Sequence, residues 1–216
     1  SALRLAALLP RVSTAIPHRA AQVKTYDATD NGDGTVTDTQ TGLQWEKKTT
    51  AVGSGQNYAD PHDVDNTYTW SAPGNAPDGT AFTDFLVKLN TEPCFAGHCD
   101  WQLPSEEGRN SPYTGVKELE SVLLTPYPCV THPCLDLTFG PTVALNYWSA
   151  TTDANSSGYA WLVGFYSGFV GNGNKGFNNY VRAVRAAPTP IPTPTATATP
   201  TTTAMVTETP TPTPVC

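Results

Sequence analysis

The chain has 216 residues and a mass of 23.0 kDa, room for one domain of ordinary size plus tails, or for two small ones. Only 14% of its residues are charged, and a net charge of -7 with a pI of about 4.9 disfavours a nucleic-acid partner, which needs a basic face. The longest apolar run, Leu3 to Leu9, is interrupted by Arg4 and stops at Pro10, far short of the ~20 residues of a membrane span.

Composition divides the chain into residues 1–24, 25–186 and 187–216. The first zone is a basic arm: Arg4, Arg11, Arg19 and Lys24 with no acid. Its apolar residues are Leu3, Leu5, Leu8, Leu9, Val12 and Ile16. Leu5, Leu8, Leu9 and Val12 fit helical spacing, while Leu3, Leu5, Ala7 and Leu9 alternate as a strand would, so both readings stay open. Because the chain begins at Ser1, the arm is expected to be a mature segment that packs on something, with a processing remnant as the alternative. The body that follows carries eighteen acids against eight Lys/Arg, so a basic arm lies beside an acidic body and attraction between them is expected.

Within the body, Asp30-Asn31-Gly32-Asp33-Gly34 is a turn by composition. It leads into a strand at Thr35–Asp38, a turn, and a return strand at Leu43–Glu46. Val52 to Pro77 is rich in Gly, Asn, Asp and Pro and reads as loop. Phe82, Phe85, Leu86 and Leu89 give the spacing of a helix with one buried face, and Val116, Leu119, Val122 and Leu123 repeat it over Thr114–Leu124. From Tyr147 the period changes to two, with Tyr159, Trp161, Val163 and Phe165 on one strand face and a turn at Ser167-Gly168. Phe169-Val170 starts the return, residues 174–179 loop, and Tyr180–Arg185 is the last strand. Strands, two helices, then antiparallel strands predict an α+β domain.

Four of the five cysteines form matched local pairs, Cys94 with Cys99 and Cys129 with Cys134, each enclosing four residues that include a histidine. As metal ligands these pairs fit zinc spacing only marginally. As disulfides they staple two loops in an oxidising compartment, which agrees with the Thr/Pro-rich tail. Cys216 is left over and suggests an intermolecular bond or a free thiol.

The tail, residues 187–216, holds eight prolines, twelve threonines, no aromatic residue and one charge, Glu208. Such a segment cannot bury enough apolar surface to offset its ordering entropy. Its preference is polyproline II, which at ~3.1 Å per residue reaches roughly 90 Å. Its composition also reads as an O-glycosylated stalk, with Thr189, Thr193, Thr195, Thr197, Thr199, Thr201, Thr209, Thr211 and Thr213 as candidate acceptors.

Several body segments resemble one known family. They are residues 30–38, Thr41-Gly42-Leu43-Gln44-Trp45, Cys99-Asp100-Trp101-Gln102-Leu103-Pro104-Ser105, Lys117-Glu118-Leu119, Tyr147-Trp148-Ser149-Ala150-Thr151-Thr152 and Tyr180-Val181-Arg182-Ala183-Val184-Arg185. In this order they resemble the family named after the C-terminal domain of the Legionella collagen-like adhesin, over roughly Tyr26 to Arg185. The resemblance implies a C-type-lectin-like fold related to the sulfatase-modifying-factor architecture. It also implies bacterial, secreted or surface-exposed proteins, some of them glycan-binding adhesins. The arm and the tail lie outside the family pattern.

Sites for chemistry are few. Gly171-Asn172-Gly173-Asn174-Lys175-Gly176 is a literal GxGxxG, but a strand follows where a dinucleotide site needs a helix, so it reads as a hairpin loop. Asp30, Asp33 and Asp38 are calcium candidates, set against turn chemistry. Asp60, His62, Asp63 and Asp65 form a second acidic loop open to the same two readings, and Asn155-Ser156-Ser157 is a formal glycosylation sequon. The sugar-coordinating Glu-Pro-Asn and Trp-Asn-Asp motifs of calcium-dependent lectins do not occur. Trp45, Trp101, Trp148, Trp161, Tyr147 and Tyr159 could stack on sugars, although core is the commoner fate of such residues. No nucleophile elbow occurs and the histidines lack a matching nucleophile, so no enzyme and no cofactor are expected. The extensions, the charge split and Cys216 point to a secreted structural subunit of an extracellular filament or surface assembly. Its partners would be other copies of itself, joined through Leu3, Leu5, Leu8, Leu9, Val12 and Ile16 or through the tail, with covalent glycans on the tail. The alternative is a surface adhesin that binds external glycans, with the tail as its stalk.

Overall fold

The computed structural model describes residues 27–106, 117–125 and 127–187. The arm, nearly all of the tail, Cys216 and the candidate threonines therefore lie outside the described residues, as does the 114–116 part of the expected second helix.

A four-stranded antiparallel sheet joins the two ends of the body. Its strands are β1 (Ala28–Asp30), β2 (Thr35–Asp38), β3 (Leu43–Glu46) and β9 (Val184–Ala186), in the order β1-β2-β3-β9. The β1–β2 turn forms because Asp30 Oδ1 accepts the Gly32 N–H at 3.1 Å and Asp33 Oδ1 accepts the Thr35 N–H at 3.0 Å. Gly32 and Gly34 there have φ of 77° and 89°, which favour glycine. Ala28 pairs with Asp38, Asp38 with Leu43 and Leu43 with Ala186. The chain thus enters β1 and leaves β9 at the same end of the sheet, three strand spacings or about 14 Å apart. Ala187 N–H donates to the Gly42 carbonyl at 2.8 Å and fixes the exit.

A second sheet is formed by β5 (Asn146–Thr152), β6 (Tyr159–Gly164) and β7 (Phe169–Asn174), all antiparallel. A third, β4 (Tyr68–Thr69) with β8 (Asn178–Asn179), has two strands. Helices are short: a π-helical turn at Ala81–Phe85 running into α1 (Leu86–Asn90), then α2 (Glu118–Ser121).

Two buried clusters lie on either side of β5 and β6. One gathers Trp45, Leu119, Val122, Phe139, Tyr147, Val163, Phe165 and Val184. The other gathers Tyr68, Trp70, Phe85, Leu89, Trp101, Trp148, Leu162 and Ala183. Sequence neighbours such as Tyr147 and Trp148, or Leu162 and Val163, go to opposite clusters because successive side chains of a strand point to opposite faces. This explains the outcome for β6. The expected inward face holds at Val163 and Phe165, but Ala160 and Leu162 on the other face are buried as well, and Tyr159 is exposed. The aromatic residues Trp45, Trp101, Trp148 and Tyr147 are core.

Four expectations need correction. Residues 171–174 of the GxGxxG stretch are strand, not hairpin loop, and a Cβ on Gly173 would lie 2.8 Å from Leu162 Cδ2. The segment 52–77 is loop except for β4, whose Tyr68 is buried. Helix α2 is one turn, although Leu119, Val122 and Leu123 are buried as their spacing indicated. The last strand begins at Val184 rather than Tyr180. Upstream, the Ala183 N–H donates to the Glu46 carboxylate at 2.9 Å instead of to a strand neighbour.

Candidate ligand cleft

Strand β3 runs from the end of the sheet where the chain enters and leaves to Glu46 at the far end. Glu46 is fully buried. Its Oε1 accepts from Lys48 Nζ at 2.9 Å and from His62 Nδ1 at 2.8 Å. Burial pushes the Glu46 carboxyl up, but Lys48 and His62 together outweigh it and hold it down at about 2. Lys48 is pushed down by burial against the pull of Glu46. Buried Arg182 donates to the Glu46 and Phe139 carbonyls at 2.7 and 2.8 Å. These contacts fix where the chain departs from the sheet.

The departing segment is then wrapped tightly. Asp65 Oδ1 and Oδ2 accept the N–H groups of Gly53 and Gly55, each at 2.9 Å, and these bonds lower its pKa. Tyr58 Oη donates to the Thr67 carbonyl at 3.0 Å, and its ring meets Tyr68 edge-on at 5.6 Å. Next, β4 pairs with β8, setting Thr69 opposite Asn178. Gly79 lies so close to β4 that a Cβ would sit 2.3 Å from the Thr69 carbonyl oxygen. That approach places Thr80 against Thr69: each accepts the other's N–H on its hydroxyl, at 3.0 and 3.1 Å. Asp84 follows on the π-helical turn and pairs with Lys88 at 2.8 Å, while Lys88 also donates to the Tyr58 carbonyl at 2.6 Å.

The result is a cleft of about 300 Å³ lined by Tyr58, Thr67, Tyr68, Thr69, Thr80, Asp84 and Asn178. Its volume falls at the small end of the range for ligand sites. It offers one aromatic wall, hydroxyls, one carboxylate and one amide. None of these residues stands out in the sequence, because they fall in or beside what reads as loop. The alternation Thr67-Tyr68-Thr69-Trp70 was the signal that a strand lay there.

The sequence-derived candidates are placed differently. Asp30 bonds Lys47 and the Gly32 N–H, Asp33 bonds Thr35, and Asp38 accepts the Gln40 N–H at 2.9 Å. Asp30 and Asp38 stand at opposite ends of the β1–β2 pair, so the three carboxylates are not brought together. Asp60 and Asp63 each accept a backbone N–H two residues on, at His62 and Asp65. Cys94–Cys99 and Cys129–Cys134 are disulfides, with Cα atoms 5.2 and 5.9 Å apart. Among the described residues, the side chains that converge as a metal set would are Glu92, Cys94 and Cys99, and the two sulfurs are bonded to each other. The second disulfide loop docks on the β6–β7 turn, with the Cys129 N–H donating to Ser167 and that of Cys134 to Phe165, both at 2.7 Å. Around it lie exposed Val130, Tyr166 and Phe169, with His132 stacked on Tyr166 at 4.0 Å.

A family model described as the Lcl C-terminal domain matches residues 34–185, well over half of the chain, and the protein belongs to that family. This is the family whose motifs are quoted above, associated with collagen-like surface adhesins. Comparison with curated proteins and with solved structures returns no match. Among the described residues no helix is long and apolar enough to cross a membrane.

Proposed function

We propose that the protein is a secreted, surface-displayed binding module of adhesin type, with a lectin-like body that recognises an extracellular glycan and carries out no catalysis. The observation that carries this reading is the polarity of the body. Both flanking segments attach at one end of the four-stranded sheet, whereas the cleft is built on the segment that leaves its other end. A domain tethered at one end presents the opposite end to a ligand, and the Thr/Pro-rich tail suits a stalk. The two disulfides fit an oxidising, extracellular setting. A glycan array probed with the folded protein tests the reading: saturable, sugar-competed signal supports it, and a blank array removes it.

Self-assembly into a filament through residues 1–24 and 187–216 is the second reading. It draws on the exposed apolar group at Val130, Tyr166 and Phe169, which a neighbouring subunit would cover. Electron microscopy of the full chain beside a form lacking residues 1–24 separates the two. Filaments that vanish on truncation favour assembly, and discrete particles in both favour the tethered adhesin.

A further inference from the structure

We infer that Asn155, on the turn between β5 and β6, is a modification site that accepts an N-linked glycan from a polyprenyl-pyrophosphate-linked donor. The inference goes beyond the binding reading above: it concerns a sugar the protein carries, on residues that do not line the cleft. Asn155-Ser156-Ser157 is the one Asn-X-Ser/Thr tripeptide in the chain. A glycan on such an asparagine is bulky and solubilising and needs a surface position. The fold supplies one, because Asn155 and Ser157 are both exposed on the turn. Among the described residues neither side chain makes a hydrogen bond, so the carboxamide and the hydroxyl of the tripeptide are both available. Other asparagines are used by the fold: Asn66 and Asn90 donate through Nδ2 to backbone carbonyls, and Asn172 donates to Asp153.

The turn is closed on itself. The Asp153 N–H donates to the Tyr159 carbonyl at 2.9 Å, the Ser156 N–H to the Asp153 carbonyl at 3.0 Å and the Tyr159 N–H to the Ser156 carbonyl at 2.9 Å. The Asn155 N–H donates to Asp153 Oδ1 at 2.9 Å. Among the described residues, 154–157 thus hydrogen-bond only within 153–159, and the segment can extend into a transferase without breaking a contact of either core cluster. Opening it frees Asp153 from the Asn155 N–H and from Asn172. That presents an acid two residues before the acceptor, the further feature that bacterial transferases of this class read. The step is a substitution at the anomeric carbon. Asn155 Nδ2 attacks C1 of the donor's first sugar, the N–C1 bond forms as the C1–O bond to pyrophosphate breaks, one Nδ2 proton passes to the transferase's base, and the lipid pyrophosphate leaves. Once the turn recloses, the sugar sits on an exposed atom and displaces no hydrogen bond of the fold.

The test is tandem mass spectrometry of the full chain as secreted by its native cells, with fragmentation that keeps sugars on the peptide. The expected result is a glycan mass on Asn155 itself. Asn155→Gln and Ser157→Ala should each abolish that mass, and Ser157→Thr, which keeps the hydroxyl, should retain it. Because neither side chain bonds in the fold, all three variants should be secreted at the wild-type level. Asn155 recovered bare overturns the inference, whether or not the Thr/Pro-rich tail carries sugar. A mass that persists on the same peptide in Asn155→Gln is linked through a hydroxyl and overturns it too. None of these outcomes bears on the adhesin reading, which the glycan array decides.

Discussion

Thr69 and Thr80 hold each other reciprocally: the Thr69 N–H donates to Thr80 Oγ1 at 3.0 Å and the Thr80 N–H to Thr69 Oγ1 at 3.1 Å. Eleven residues separate them in sequence, and the pair joins the two walls of the cleft. This contact depends on the absence of a side chain at Gly79.

Gly79→Ala should therefore open the cleft. The added Cβ would meet the Thr69 oxygen at 2.3 Å and the Trp70 carbonyl carbon at 2.5 Å, both backbone atoms that cannot swing aside. The expected destabilisation is about 1–3 kcal/mol, in the range for overpacking. Urea unfolding measures it, and an unchanged midpoint would contradict the close approach.

Glu46 anchors the segment that carries Tyr58. Removing its carboxylate in Glu46→Ala leaves Lys48 buried without its ion-pair partner, at a cost of about 3–5 kcal/mol. Its pKa is lowered when folded, so its contribution is present above the ordinary glutamate value and is lost as pH falls from about 4.5 towards about 2. Acid unfolding followed by tryptophan fluorescence should show wild-type stability falling through that window, with a smaller loss in the variant, where the lowered carboxyl of Asp65 still contributes.

Glu106 behaves in the opposite sense. Its carboxyl is buried with no hydrogen bond among the described residues, Lys117 Nζ lies 3.7 Å away, and burial followed by the charge of Glu120 raises its pKa to about 7. A raised carboxyl favours the fold fully below about 4.5, and that contribution is lost as pH rises through about 7. Glu106→Gln should remove this loss and gain on the order of 2 kcal/mol over the wild type at pH 8. Thermal melts between pH 5 and 8 decide it, and parallel slopes in both proteins would rule out the assignment.

The Cys129–Cys134 loop is bonded to the β6–β7 turn at Ser167 and Phe165. Replacing both cysteines by serine should cost about 2–4 kcal/mol. It should also broaden the NMR signals of Tyr166 and Phe169 while leaving those of Thr69 and Thr80 sharp. Broadening at the cleft instead would mean that the two regions are coupled.

The parts of this fold that periodicity controls were legible in the sequence. Asp30 to Gly34 turns, Val36 and Trp45 face one core, and Phe85 and Leu89 face the other. The disulfide pairing was legible too, because each cysteine had one near partner. What was not legible depends on contacts distant in sequence. The two-residue strand at Tyr68 exists because Asn179 lies opposite it. Ala183 leaves regular strand pairing because a glutamate 137 residues away takes its N–H. The cleft residues Tyr58, Thr80 and Asn178 come from three separate segments, and no local pattern links them.

The most direct test of the central claim is an amide chemical-shift titration of the isotopically labelled full chain with the tightest-binding glycan found on the array. The account predicts saturable shifts confined to residues 67–69, 80–84 and 178, with Tyr166 and Phe169 unmoved. Shifts centred on the Cys129–Cys134 loop, with the cleft silent, would contradict it.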